Sequence, residues 1–159
     1  MMDAFLKLEG INGESHDDKH KDWIDVLSFT WGMSQAATAH LKSGSTAARA
    51  SVNDVQVVKQ LDVSSVKIAE FCTTGQYINK ATIDFCKAGG KQQLYLQMKM
   101  DEVIVSSYSL NGSSSEQLDE VVTLNFAKYG IEYWMIDNTT GQASKSEKGA
   151  FDIRANKKP

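Results

Sequence analysis

The sequence predicts a mainly β, single-domain β-barrel flanked by one short α-helix. Three observations lead there. Apolar and polar residues alternate with a period of two along most of the chain, as in strands with one buried face. Glycine- and serine-rich breaks separate these runs, at Gly89-Gly90, Asn111-Gly112-Ser113-Ser114-Ser115 and Asn138-Thr139-Thr140-Gly141. A single stretch, 64–75, has helical spacing. The 159 residues, 42% of them apolar, supply one sizeable core and little room for a second, so 1–159 reads as one domain.

In chain order, residues 3–8 alternate Ala4, Leu6 and Leu8 with Asp3, Phe5 and Lys7, a short strand ended by Gly10 and Gly13. Residues 13–22 are a charged connection, followed by a long extended run over 22–35. A further strand is expected at 54–61. In the helix, Ser64 or Ser65 is placed to cap the first turn. Val66, Ile68, Phe71 and Cys72 share an apolar face, and Gly75 suits the left-handed C′ position. Strands then follow at 78–86, 93–109, 119–136 and 150–154. No internal repeat is visible, so higher-order repetition has to come from copies of the whole chain.

The run Ile24-Asp25-Val26-Leu27-Ser28-Phe29-Thr30-Trp31-Gly32-Met33-Ser34 carries the most information. Leu27, Phe29, Trp31 and Met33 form an apparent core face. Ser28, Thr30, Gly32 and Ser34, on the opposite face, are small and uncharged. That second face is either an ordinary solvated surface or a smooth wall lining a passage. About fourteen extended residues would span ~45 Å, against a usual strand of about five or six, so the run bends or crosses a larger assembly. Residues 35–53 contain no acid and are rich in Ala, Ser and Thr. This is either a surface loop or an arm ordered by a neighbouring copy, where His40, Lys42 and Arg49 are interface candidates.

Several function classes are disfavoured. Seventeen basic and twenty acidic residues give a net charge of −3, without the basic excess a nucleic-acid binder needs. The N-terminal segment has no basic region followed by an apolar one, and no segment approaches a membrane span. The protein is therefore expected to fold in the cytoplasm and, if exported, to leave without a cleaved leader. His16 and His20 have metal-ligand spacing, but Ser15-His16-Asp17-Asp18-Lys19-His20-Lys21-Asp22 lacks the apolar periodicity of a helix and reads as a solvated turn. Gly89-Gly90-Lys91 lacks the spacing of a phosphate loop. Asp101 and Glu102 are adjacent on a strand and point to opposite faces. Glu116, Asp119 and Glu120 read as a solvated negative patch. Cys72 and Cys86 sit beside phenylalanines and read as buried free thiols. No nucleophile and base stand together, so no catalytic residue, metal ligand or cofactor is expected.

Four stretches together carry a resemblance to a known family. The first is Gly13-Glu14-Ser15 with His20 and the run 24–35. The second is Ala81-Thr82-Ile83-Asp84-Phe85-Cys86-Lys87-Ala88-Gly89-Gly90, leading into Tyr95-Leu96. The third is Val103-Ile104-Val105-Ser106-Ser107-Tyr108-Ser109, and the fourth Val121-Val122-Thr123-Leu124-Asn125-Phe126-Ala127-Lys128. In residues, order and length they resemble the haemolysin-coregulated protein family of type VI secretion systems. The resemblance implies a structural tube subunit forming homohexameric rings that stack inside a contractile sheath beneath a spike protein. It further implies a lumen that holds and protects small effectors exported with the tube. Residues 36–53 fall where the family carries an extended loop that contacts neighbouring subunits or rings, and an end at Pro159 speaks against a fused toxin. The competing reading is a monomeric β-barrel binding a small ligand inside. The bulk of Leu27, Phe29, Trp31, Met33, Leu94, Leu96 and Met98 favours a filled barrel.

Overall fold

A computed structural model describes residues 2–36, 49–88, 92–114 and 116–159. Ten strands and one helix follow in the order β1 (Met2–Leu8), β2 (Ile24–Val26), β3 (Ser28–Thr30), β4 (Met33–Ser34), β5 (Ser51–Val52), β6 (Val55–Gln60), α1 (Ser65–Thr74), β7 (Ile78–Lys87), β8 (Gln93–Asn111), β9 (Asp119–Ile136) and β10 (Ala143–Asp152). The main sheet runs β2-β1-β7-β8-β9-β6-β3, antiparallel at every step, and β4 pairs with β5 separately.

The two ends of that path are consecutive in sequence. Leu27 alone joins β2 to β3, and its N–H donates to the carbonyl of Val58 on β6 at 2.7 Å. The sheet therefore returns on itself as a barrel, which removes the exposed edges an open sheet would carry. Its interior is filled by side chains such as Leu6, Ile83, Met98, Met100, Val122 and Leu124, each at most 1% exposed.

The extended run expected over 22–35 is in fact divided among three strands with three different partners. Ile24 and Val26 point inward, Leu27 is 53% exposed, and Phe29 and Trp31 pack partly against the core. The inward phase thus slips by one residue at Leu27, as closure of the barrel requires. Leu27, at the slip, and Met33, in the separate β4–β5 ladder, are exposed rather than core.

Helix α1 lies where its spacing predicts. Gly75 takes φ 70° and donates its N–H to Phe71 O at 2.9 Å, closing the C-terminus. Ile68 is buried and Phe71 and Cys72 half-buried, but Val66 is 75% exposed. The N-terminus differs from expectation: Ser64 makes no side-chain cap, and Asp62 Oδ1 instead accepts the Ser64 N–H at 2.9 Å.

The long β8–β9 hairpin outruns the barrel. The first part of β9 pairs with β6, and the second part, Lys128–Ile136, pairs with β10. Strand β10 starts at Ala143, well before the expected 150, because Ala143–Gly149 are small or charged and give no alternation signal. At its end Asp152 accepts the Ala155 N–H at 2.9 Å, and this bond, with Lys128 and Arg154 nearby, holds its carboxyl below the usual range.

Residues 9–23 fold over the outside of β1 and β7. Gly13 donates to Asp22 O at 2.7 Å, and Ser15 to Trp23 O at 2.9 Å. A Cβ on Gly13 would meet Trp23 O at 2.4 Å and Ile24 Cα at 2.8 Å, both backbone atoms that cannot swing aside. Gly13→Ala is expected to lower stability by about 1–3 kcal/mol, read as an earlier urea midpoint with unchanged slope.

Candidate functional site

Three polar arrangements stand out. The first is the outward face of β3, β6, β9 and β8. Register places Ser28 beside Val58, Val58 beside Val121 and Val121 beside Ser109. The adjacent row reads Thr30, Gln56, Thr123 and Ser107. These eight side chains carry no charge and none is long and basic. Three strand spacings make the face about 14 Å wide. At its margin Ser106 donates to Asp54 at 2.6 Å and Asn125 donates to the other Asp54 oxygen at 2.8 Å, fixing that carboxylate.

Of the lining candidates, Ser28 and Thr30 lie exposed on this face. Gly32 and Ser34 do not share the strand. Gly32 accepts the Asn53 N–H at 2.9 Å, and Ser34 belongs to the β4–β5 ladder. Of the interface candidates, His40 and Lys42 lie outside the described residues. Arg49 donates to the carbonyls of Ile153 and Arg154 of its own chain, at 2.7 and 3.3 Å.

The second arrangement is buried. Lys59 and Glu120 are directly opposite on β6 and β9, both inward and both 0% exposed, so Glu120 is not part of a solvated patch. Lys59 Nζ donates to Glu120 and to Ser65 Oγ at 3.1 Å, and forms an ion pair with Asp62 Oδ1 at 3.0 Å. Ser65 Oγ and Tyr108 OH also donate to Glu120. Burial, reinforced by that bond and the Glu120 charge, pushes the Tyr108 phenol well above the usual tyrosine range. The network pins the start of α1 to the barrel. Its signal was in the sequence, since Lys59 is in phase with Val55 and Val57, and Glu120 with Val122 and Leu124.

The third arrangement corrects the reading of His20 as part of a solvated turn. His16 is exposed, but His20 is only 4% exposed. Its Nδ1 lies 2.6 Å from Asp17 Oδ2 and its Nε2 2.8 Å from Asp84 Oδ2. Phe5 stacks on the ring at 4.3 Å and Trp23 meets it edge-on at 4.7 Å. Gln97 donates to the other Asp84 oxygen at 2.8 Å. The nearby thiol of Cys86 is pushed up to about 11, chiefly by burial and then by Asp84, so it is a poor nucleophile at neutral pH. No local pattern announces this contact, because its decisive partners are 64 residues apart. Among the described residues no group of His, Cys, Asp and Glu is arranged to hold a metal, and no helix is long and apolar enough to cross a membrane.

Comparison with known proteins places the chain. A family profile described as "Type VI secretion system effector, Hcp" matches residues 5–133. Protein hcp1 of Pseudomonas aeruginosa is 40% identical over 134 residues, 83% of each chain. The solved structure of a type six secretion system protein superimposes with a TM-score of 0.93 at 29% identity, over 100% of both chains. Hcp1 from Salmonella typhimurium follows with a TM-score of 0.82 at 31% identity, over 99% of both. The fold and these matches define a single-barrel protein of type VI secretion. The chain belongs to the Hcp family.

Proposed function

We propose that this chain is the tube subunit of a type VI secretion machine, assembled as homohexameric rings that stack. In this reading the lumen holds and protects small effector proteins and is exported with them. The observation that carries the proposal is the uncharged four-stranded face of Ser28, Thr30, Gln56, Val58, Val121, Thr123, Ser107 and Ser109. A face without long or charged side chains gives a passing polypeptide nothing to lodge on, and its hydroxyls can still hydrogen-bond a held cargo. The filled barrel interior speaks against the alternative of a small ligand bound inside.

The working partners are further copies of the chain, the spike protein, the contractile sheath and the effectors, without nucleic acid or membrane insertion. The role is structural and needs no catalytic residue or cofactor. The subunit waits in the cytoplasm and leaves by the type VI route. His40, Lys42 and Arg49 remain the proposed contacts between subunits or rings. Arg49 would there keep its hold on the C-terminal backbone, presenting the arm from a fixed root.

Two measurements test this. Native mass should give a ring-sized particle, and a strict monomer at high concentration would sink the proposal. Ser28→Arg and Thr30→Trp should leave stability within about 0.5 kcal/mol while lowering co-purified effector about tenfold, equivalent to ~1.4 kcal/mol of binding. Unfolded variants with unaltered cargo would mean that this face is core and the assignment wrong.

A further inference from the structure

We infer that two grooves on different sides of the barrel are the two halves of one contact between neighbouring copies of the chain. This inference rests on the ring reading and names the residues that would join the copies. The first groove, about 400 Å³, lies on the outer side of β8, β9 and β10. Its floor is Gly130, Gly149 and Ala150, so it is open where side chains would otherwise stand, and Lys99, Lys148 and Lys158 rim it. Among the described residues none of these lysines enters an ion pair. Glu132 is the one carboxylate in the lining, leaving a net positive groove.

The second groove, about 190 Å³, is lined by Glu14, Asp25 and Asp62 around Leu27, Gln60 and Leu61. It contains no basic residue. Leu27 and Leu61 are 53% and 50% exposed there, two large apolar side chains with nothing over them in the single chain. Glu14 and Asp62 are held in place, the first accepting the Val63 N–H at 2.7 Å and the second accepting the Ser64 N–H at 2.9 Å beside its ion pair with Lys59. A carboxylate-ringed pair of leucines matches, in sign and in relief, a lysine-ringed hollow floored by glycine and alanine.

The two surfaces cannot meet within one chain. In register Asp25 aligns with Phe5, Phe5 with Asp84 and Asp84 with Gln97, so the second groove lies three strand steps from the first, about half of the way around the barrel. Their joining is therefore heterologous, one copy's corner in the next copy's groove. Such a contact closes into a ring when the rotation per copy allows. The committed occupant of the lysine groove is thus a second copy of this chain.

Charge exchange tests the contact. Lys148→Glu sets a carboxylate against Asp25 of the next copy, and Asp25→Lys sets an ammonium against Lys148; both positions are exposed. Each variant alone should need at least about tenfold higher concentration to assemble than the unaltered chain, because like charges would face each other. An equimolar mixture should assemble again, since alternating copies restore opposite charge at every contact. The double variant Lys148→Glu/Asp25→Lys should also assemble. Circular dichroism melting checks that each variant is folded. Rings indifferent to both substitutions, or single variants not rescued by mixing, overturn the contact and leave the ring reading standing. An unaltered chain that never assembles overturns both.

Discussion

Lys59→Met is expected to destabilise the barrel by about 3–5 kcal/mol. The substitution keeps the length and apolar stem of the side chain but removes the ammonium that Glu120 faces at a fully buried position. Glu120 would keep Ser65 and Tyr108 as donors, yet two neutral hydroxyls do not replace a cation, and Asp62 would lose its ion pair as well. Urea unfolding followed by tryptophan fluorescence measures the loss. Removing both charges together in Lys59→Met/Glu120→Leu should recover most of it, because a well-packed apolar pair of similar volume is often as stable as a buried ion pair. A single variant within about 1 kcal/mol of the parent would mean that the network is hydrated and contributes little. Because the network also ties down the start of α1, amide exchange over Ser65–Phe71 should speed up more than exchange in β1.

His20→Ala is the second large effect, an expected loss of about 3 kcal/mol. The ring fills the space between Asp17 and Asp84 and is stacked on Phe5, so alanine leaves a hole and a buried Asp84 carboxylate bonded through Gln97 alone. The damage should be local first: amides of residues 13–23 lose protection because His20 anchors that connection to β7. Gly13→Ala, which strains the same connection from its other end, should combine with His20→Ala non-additively, since both loosen one segment. A His20→Ala protein with unchanged protection over 13–23 would show that the connection is held by its backbone hydrogen bonds instead.

Much of the fold is legible in the residues themselves. Alternation in 3–8, 55–60 and 119–126 marks which side chains point inward, and the spacing from Ser65 to Gly75 marks the helix and its left-handed end. Strand β10 escapes because an exposed strand needs no apolar phase. The break at Leu27 escapes for a different reason. The run 24–34 is locally consistent with one long strand, and its division comes from which neighbours each part finds around the barrel. Of the candidate lining residues, this division keeps Ser28 and Thr30 on the four-stranded face and sends Gly32 and Ser34 elsewhere.

By itself the sequence determined the class of the fold, the position of the helix, the small uncharged phase of Ser28 and Thr30 and, through its motifs, the family. Tertiary structure alone decided that Lys59 meets Glu120 across 61 residues and that His20 meets Asp84 across 64. The physical reason is that a strand's alternation records only whether a side chain faces the core. What covers it there is set by strand pairing and barrel closure, which bring together residues that share no local pattern.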